Sequence, residues 1–202
     1  MFINYMWILL VLLVIWSLIP YYPKPRIWRN FLSPQECDEI IEASKPELKE
    51  STVGQKMVVD EKIRKSQTCY LKKEIPVAGK LVDKVCWWLG RPSENAESLQ
   101  VVKYTPGGFY TTHQDANCFV DESSDNERLY TVLVCLNDGF EGGETDFPEI
   151  GEKFKLKKGD ALFFNTLNSA RRCDKRADHA GTPIKSGEKW IANIWVHEKK
   201  FV

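Results

Sequence analysis

The chain opens on an apolar run: Tyr5 to Ile19 is apolar apart from Ser17, and no charged side chain occurs between Met1 and Pro23. With its flanks the run approaches the ~20 residues a helix needs to cross a bilayer. Trp7, Trp16, Tyr21 and Tyr22 stand where interfacial aromatics stand, and Pro20, Pro23 and Pro25 then stop the helix. No Lys or Arg precedes the run and no small-x-small site follows it. The pattern therefore predicts an uncleaved transmembrane anchor over residues 1–23 rather than a removable signal peptide.

After the anchor the spacing turns helical. Ser33-Pro34-Gln35-Glu36 reads as an N-cap, a proline at N1 and a capping-box glutamate, followed by a stripe of Cys37, Ile40 and Ile41 that ends near Ser44. Val77, Leu81, Val85, Trp88 and Leu89 predict a second helix from Ile75 to Leu89, closed by Gly90-Arg91-Pro92. Between the two helices, Ser51 to Tyr70 reads as loop with a short strand. From Leu99 the period shortens to two. The predicted strands are Leu99–Tyr104, Phe109–Asp115, Leu129–Asn137, Thr145–Phe147, Lys153–Leu156, Ala161–Asn165 and Trp190–His197. Turn residues such as Pro106-Gly107-Gly108, Gly142-Gly143 and Lys158-Gly159-Asp160 separate them. This is a mainly β fold with flanking helices (α+β), a sandwich or barrel with the helices on one outer face. The expected organisation is an anchor over 1–23, a helical support region over 24–97 and a β core over 98–202, with 30–202 acting as one domain.

Composition narrows the function. Hydrophobic residues are 43% and aromatics 12% of 202 residues, which excludes a disordered chain. Lys+Arg and Asp+Glu are 28 each, so no excess positive charge exists to hold nucleic acid, and no nucleic-acid partner is expected. The six cysteines contain no C-x-x-C, so a zinc knuckle or thioredoxin motif has no support. They could pair in an oxidising compartment and would be free in the cytosol. Lys24, Arg26 and Arg29 follow the anchor, a bias that places the remainder of the chain in the cytosol.

The chemistry centres on His113-Gln114-Asp115. Residues i and i+2 of a strand share a face, so one rigid element can offer an imidazole and a carboxylate to a single ion. A non-haem iron site needs two His and one carboxylate with the remaining positions open. The chain has only three histidines, which leaves His179 or His197 as the third ligand. The turn formers between His179 and Lys189 fold that lysine back toward His179. Lys189 and His197 instead lie about 26 Å apart along one strand at ~3.3 Å per residue, too far for one small cosubstrate to touch both. His179 is therefore the expected ligand.

The same stretches resemble the prolyl 4-hydroxylases of the Fe(II)/2-oxoglutarate dioxygenase superfamily. The likeness is carried by Val102-Lys103-Tyr104, Tyr110-Thr111-Thr112-His113-Gln114-Asp115, Arg128 to Leu133 and Glu141-Gly142-Gly143-Glu144-Thr145. It continues through Lys158-Gly159-Asp160-Ala161-Leu162-Phe163-Phe164, His179-Ala180-Gly181 and Lys189 to His197. Order and spacing agree from about Phe31 to Val202. The resemblance implies a double-stranded β-helix, or jelly roll. It implies His113, Asp115 and His179 as iron ligands, Lys189 on the distal carboxylate of 2-oxoglutarate, and Tyr104 and Thr145 hydrogen-bonded to that carboxylate. It also implies a peptide groove lined by Arg64, Ser66, Glu97, Tyr110, Arg128, Trp195 and His197. The implied cofactors are Fe(II), 2-oxoglutarate as cosubstrate, O2, and L-ascorbate to restore oxidised iron. The implied partner is a proline-containing peptide or protein, converted to 4-hydroxyproline with release of succinate and CO2. Relatives in the endoplasmic reticulum favour a membrane-anchored enzyme with a lumenal domain.

Plainer readings stand beside these. Gly142-Gly143 alone is a tight turn, Tyr104 a core aromatic and His197 a structural histidine. Trp190 and Trp195 fall on opposite faces of one strand, Trp190 toward the core. Asp121 to Glu127 is a solvated acidic loop or a lid over the peptide. Two alternative functions are hydroxylation of another residue or a small molecule, and a membrane-tethered binding module that has lost catalysis; the intact ligand set and Lys189 argue against the second.

Overall fold

The computed structural model describes residues 7–9, 11, 19–54, 57–116, 118 and 126–201. The expected anchor over 1–23 and the acidic stretch over 121–125 lie largely outside those residues. Among the described residues no helix is long and apolar enough to cross a membrane.

In chain order the elements are β1 (Arg26–Trp28), α1 (Pro34–Ser44), β2 (Lys49–Glu50), β3 (Arg64–Lys65), β4 (Gln67–Leu71), α2 (Pro76–Leu89), β5 (Leu99–Tyr104) and β6 (Phe109–His113). There follow β7 (Arg128–Cys135), β8 (Glu141–Gly142), β9 (Thr145–Phe147), β10 (Glu152–Phe154), β11 (Ala161–Asn165), β12 (His179–Gly181), β13 (Ile184–Ser186) and β14 (Lys189–His197). A seven-stranded sheet runs β1-β11-β7-β14-β5-β4-β2 and a five-stranded sheet runs β10-β9-β12-β6-β3, with β13 and β8 as a separate pair. The result is a mainly β, two-sheet fold of jelly-roll type with few helices.

The helices form for local reasons. The Ser33 hydroxyl accepts from the Glu36 backbone N–H, and the Glu36 carboxylate accepts in return from the Ser33 N–H at 2.7 Å. The second helix stops where Gly90 turns left-handed (φ 61°) and its N–H closes on Cys86 and Trp87 carbonyls. Both helices cover one face of the large sheet. Cys37, Ile40, Leu81, Val82 and Val85 pack on Leu99, Val101, Val132, Val134, Ala192, Ile194 and Val196. Alternation sends the other residues of those strands inward, so Val102, Tyr104, Leu133, Cys135 and Ile191 meet Phe147, Leu162 and Phe164 between the sheets. Trp190 belongs to the helix-side core as expected, while Trp195 faces the interior. Leu81 is 2% exposed, so Leu81→Ala should cost about 2–4 kcal/mol of stability, read as a lowered midpoint of thermal unfolding.

The expected bounds of β5, β9 and β11 match the structure. The differences cluster in short elements. Five strands of two or three residues, β1, β2, β8, β12 and β13, carry no readable period and exist through their partners. β6 ends at His113 rather than Asp115, because its last ladder pair is His113 with His179 and the chain bends after it.

Candidate active site

The inner face of the large sheet and the small sheet enclose a cavity of roughly 170 Å³. His113 ends β6 and His179 begins β12, and the two are direct partners across that ladder. Their rings lie 4.3 Å apart. Asp115, one bend beyond the strand, places Oδ1 3.7 Å from His113 Nε2 and Oδ2 3.7 Å from His179 Nε2. Potential ligand atoms of the three residues all fall within 4.8 Å of one another.

Each of the three side chains is held from behind. Nδ1 of His113 donates to the Thr111 carbonyl at 2.9 Å, and Nδ1 of His179 to the Ala177 carbonyl at 3.0 Å. A carbonyl can only accept, so the proton sits on Nδ1 and each Nε2 lone pair is free for a cation. His179 is packed by the rings of Phe147 and Phe164. Thr131 Oγ1 donates to Asp115 Oδ2 at 2.6 Å, and Arg128 donates to the Asp115 carbonyl at 3.1 Å. Burial pushes the Asp115 carboxyl up, but His179, His113, Arg128 and the Thr131 hydroxyl together hold it below the ordinary carboxylate range. Burial, reinforced by His179, pushes the His113 imidazole down, which keeps it neutral. A carboxylate oxygen and two imidazoles whose Nδ1 atoms are engaged behind them, on one side of an open cavity, suit a divalent transition metal such as Fe(II).

Lys189 begins β14 on the cavity wall, opposite Tyr104 in register. It is 5% exposed, and burial lowers its pKa to about 8. Its Nζ donates to the Gly143 carbonyl at 2.6 Å. Gly143 has φ +68°, and a Cβ there would sit 2.4 Å from Ile184 Cδ1 and 3.1 Å from Lys189 Cδ. Gly143 thus does more than turn the chain: it lets backbone approach the lysine. Gly143→Ala should destabilise by about 1–2 kcal/mol from its left-handed backbone alone and raise the KM for 2-oxoglutarate, measured by succinate release. Tyr104 and Thr145 line the same end of the cavity.

The expected groove residues divide into two layers. Arg64, Tyr110, Arg128 and Trp195 line the cavity. Arg64 lies 4.8 Å over the Tyr110 ring, which stacks on His113 at 3.6 Å. Ser66, Glu97 and His197 stand behind. Ser66 accepts from Arg64 Nε at 2.9 Å. Glu97 accepts twice from Arg128, at 2.5 and 3.0 Å, and meets His197 Nε2 at 2.9 Å. Tyr70, Gln100, Thr131 and Asn193 also line the cavity and are not among the expected site residues. Strand alternation carries the missing signal: Asn193 shares its face with Lys189 and Trp195.

Cys118 and Cys173 form a disulfide, while Cys37, Cys69, Cys86 and Cys135 are free and buried. The bridge ties the segment after Asp115 to the loop before His179. Gln114 reinforces it by donating to the Asp174 carbonyl at 3.0 Å and to the Asp178 carboxylate. The bridge closes a long loop, 55 residues apart in sequence. Cys173→Ser should therefore cost about 2–4 kcal/mol, checked by denaturant unfolding without reductant.

The 2OG-Fe(II) oxygenase superfamily model matches residues 99–197. The chain is 39% identical over 189 residues to the "Putative prolyl 4-hydroxylase" of Acanthamoeba polyphaga mimivirus, covering 89% of this chain and 76% of that one. It is 32% identical over 207 residues to prolyl 4-hydroxylase 2 of Arabidopsis thaliana, covering 89% and 69%. Among solved structures it superposes on the viral collagen prolyl hydroxylase of Paramecium Bursaria Chlorella virus-1 in its 2OG complex. That match has a TM-score of 0.71 and 34% identity over 87% of this chain and 96% of that one.

Proposed function

The chain belongs to the prolyl 4-hydroxylases of the 2OG-Fe(II) oxygenase superfamily, and from that premise we propose that its cavity hydroxylates C4 of prolyl residues in peptides. The observation that carries the reading is one cavity holding the His113, Asp115 and His179 cluster together with the buried ammonium of Lys189. His113, Asp115 and His179 would hold Fe(II). Bound iron, with O2 and 2-oxoglutarate, supplies the oxidising chemistry that splits the cosubstrate to succinate and CO2 and delivers one oxygen atom to proline. Ascorbate fits as the reductant that returns oxidised iron to the ferrous form.

The chain's own residues do the rest. Lys189 attracts the distal carboxylate as a compact charge, with Tyr104 and Thr145 beside it. The apolar wall of Leu133 and Ile191 keeps water away from the keto acid. Thr131 and Arg128 fix Asp115 so that its oxygens stay on the iron side. Arg64, Tyr110, Arg128 and Trp195 form the mouth that receives the peptide, and Ser66, Glu97 and His197 hold two of those side chains in place.

We also place the domain in an oxidising, lumenal compartment on an N-terminal anchor. The Cys118–Cys173 bridge supports the compartment and the uncharged run from Met1 to Pro23 supports the anchor. Protease protection in sealed microsomes tests both: digestion of the domain without detergent would refute the lumenal placement.

The decisive assay supplies Fe(II), 2-oxoglutarate and a proline-containing peptide to the full chain. Mass spectrometry should find one added oxygen on proline for each succinate released. Succinate without oxygen on any proline peptide would refute the reading.

A further inference from the structure

The His179 imidazole takes its aim from backbone. Its Nδ1 donates to the Ala177 carbonyl at 3.0 Å, two residues back along the chain. That carbonyl belongs to a short turn, Lys175–Ala177, capped by Asp174, whose carboxylate accepts from the Arg176 N–H at 3.0 Å. The place of this turn therefore decides where the Nε2 lone pair of His179 points.

Two sets of contacts hold the turn. In the first, Gln114, which stands between His113 and Asp115, donates to the Asp174 carbonyl at 3.0 Å and to the Asp178 carboxylate. In the second, the Arg176 guanidinium grips the Asp174 carboxylate at 2.6 and 2.8 Å. The same guanidinium donates to the Pro20 carbonyl at 3.3 Å and lies 5.8 Å over the Tyr22 ring.

The second set thus reaches the stretch that directly follows the apolar run. Tyr21 and Ser169 exchange two bonds: the Tyr21 N–H donates to the Ser169 hydroxyl and the Ser169 N–H to the Tyr21 carbonyl, both at 2.8 Å. The Tyr22 hydroxyl donates to the carbonyl of Asn165, the last residue of β11, at 2.8 Å. Tyr22, expected as an interfacial aromatic, is 3% exposed and so lies inside the domain. These partners are 143 to 156 residues away in sequence, so the contacts come from tertiary packing and not from a local turn.

Resting on the iron-site reading above, we propose that Tyr22 and Arg176 are positioning residues for His179, and that residues 20–22 form the back wall of the turn that aims it. Tyr22 ties that wall to the end of β11, and its ring backs the Arg176 guanidinium. Arg176 joins the turn to the Pro20 carbonyl. Both act through the Ala177 carbonyl rather than on the metal. The front of the chain, which its pattern marks only as an anchor, is then part of the site as well.

The test uses the full chain. Tyr22→Ala should weaken Mn(II) binding by roughly tenfold or more, the range for losing a group that orients a metal ligand. Arg176→Met, which keeps length and loses both polar links, should do the same. Tyr22→Phe keeps the ring and should act in the same direction by less, so it serves if the alanine variant fails to fold. Leu81→Ala controls for lost stability alone: it should lower the unfolding midpoint and leave Mn(II) affinity unchanged. The second measurement is exchange of the imidazole Nδ1 protons with water in the metal-free protein, where the chain has only three histidines to resolve. Tyr22→Ala should speed exchange at His179, while His197, held by the Asn126 carbonyl, keeps its protection. Wild-type Mn(II) affinity and wild-type His179 exchange in both Tyr22→Ala and Arg176→Met would overturn the proposal. Equal loss of protection at His179 and His197 would overturn it too, since that marks general loosening. If Tyr22→Ala frees His179 but His179→Ala binds Mn(II) as the wild type does, the coupling stands and the iron-ligand reading fails.

Discussion

His179→Ala is expected to abolish hydroxylation and to weaken Fe(II) or Mn(II) binding by more than about 100-fold, beyond the cost of losing an outer-shell partner alone. Two imidazoles and one carboxylate make up the metal-binding cluster found among the described residues, so removing one leaves a site that water must complete. The expected loss is one of metal affinity as well as rate, and titration calorimetry with Mn(II) separates the two. His179 also fills space between Phe147 and Phe164, so its removal has a packing cost. His179→Gln retains bulk and controls for that. The contrasting variant is His197→Ala. Its ring contacts Glu97 and the Asn126 carbonyl, not the cluster, so it should disturb Arg128 and peptide KM while metal affinity stays within a few fold. Metal loss in His197→Ala with retention in His179→Ala would overturn the ligand assignment.

Parts of this site are legible in the chain and parts are not, for physical reasons. The first helix announces itself because a capping box is local: Ser33 and Glu36 satisfy each other's backbone within one turn. β5 and β11 are legible because turn residues bound both ends. The place of His113 in the cluster is legible because the chain has so few histidines and a carboxylate two places on. The conformation of Asp115 is not legible, since β6 stops at His113 and it is Thr131, on another strand, that aims the carboxylate. β12 is invisible as a strand because three residues have no period; pairing with β6 and β9 makes it. Likewise the Cys118–Cys173 pairing depends on where two loops meet, which six scattered cysteines do not encode locally. Ser66, Glu97 and His197, expected to line a groove, stand a layer behind the cavity surface. Depth within a network is a property of packing rather than of sequence order.

Lys189→Ala should raise the KM for 2-oxoglutarate by about 100-fold or more. Truncating one partner of a buried charge pair costs on the order of 2–5 kcal/mol, since the other charge is left without compensation. The Lys189 pKa of about 8 adds a pH signature that a mere packing defect lacks. Its cause is burial, which disfavours the ammonium; Cys135 and Glu144 oppose the shift without cancelling it. The sign follows directly. Below pH 8 the lysine is charged in the free protein and 2-oxoglutarate binds without taking up a proton. Above pH 8 the free protein holds a neutral amine, binding must first recover a proton, and affinity falls about tenfold per pH unit. Between pH 7 and pH 9 the Kd for 2-oxoglutarate on the Mn(II)-loaded protein should therefore weaken roughly tenfold, with proton uptake visible by calorimetry in buffers of different ionisation enthalpy. Lys189→Ala should bind weakly at both values and show no such slope. Lys189→Arg retains its charge throughout this range, so whatever affinity survives its bulk against Gly143 and Ile184 should also be flat. A wild-type Kd that does not change from pH 7 to pH 9 would mean that the ammonium is not what holds the distal carboxylate.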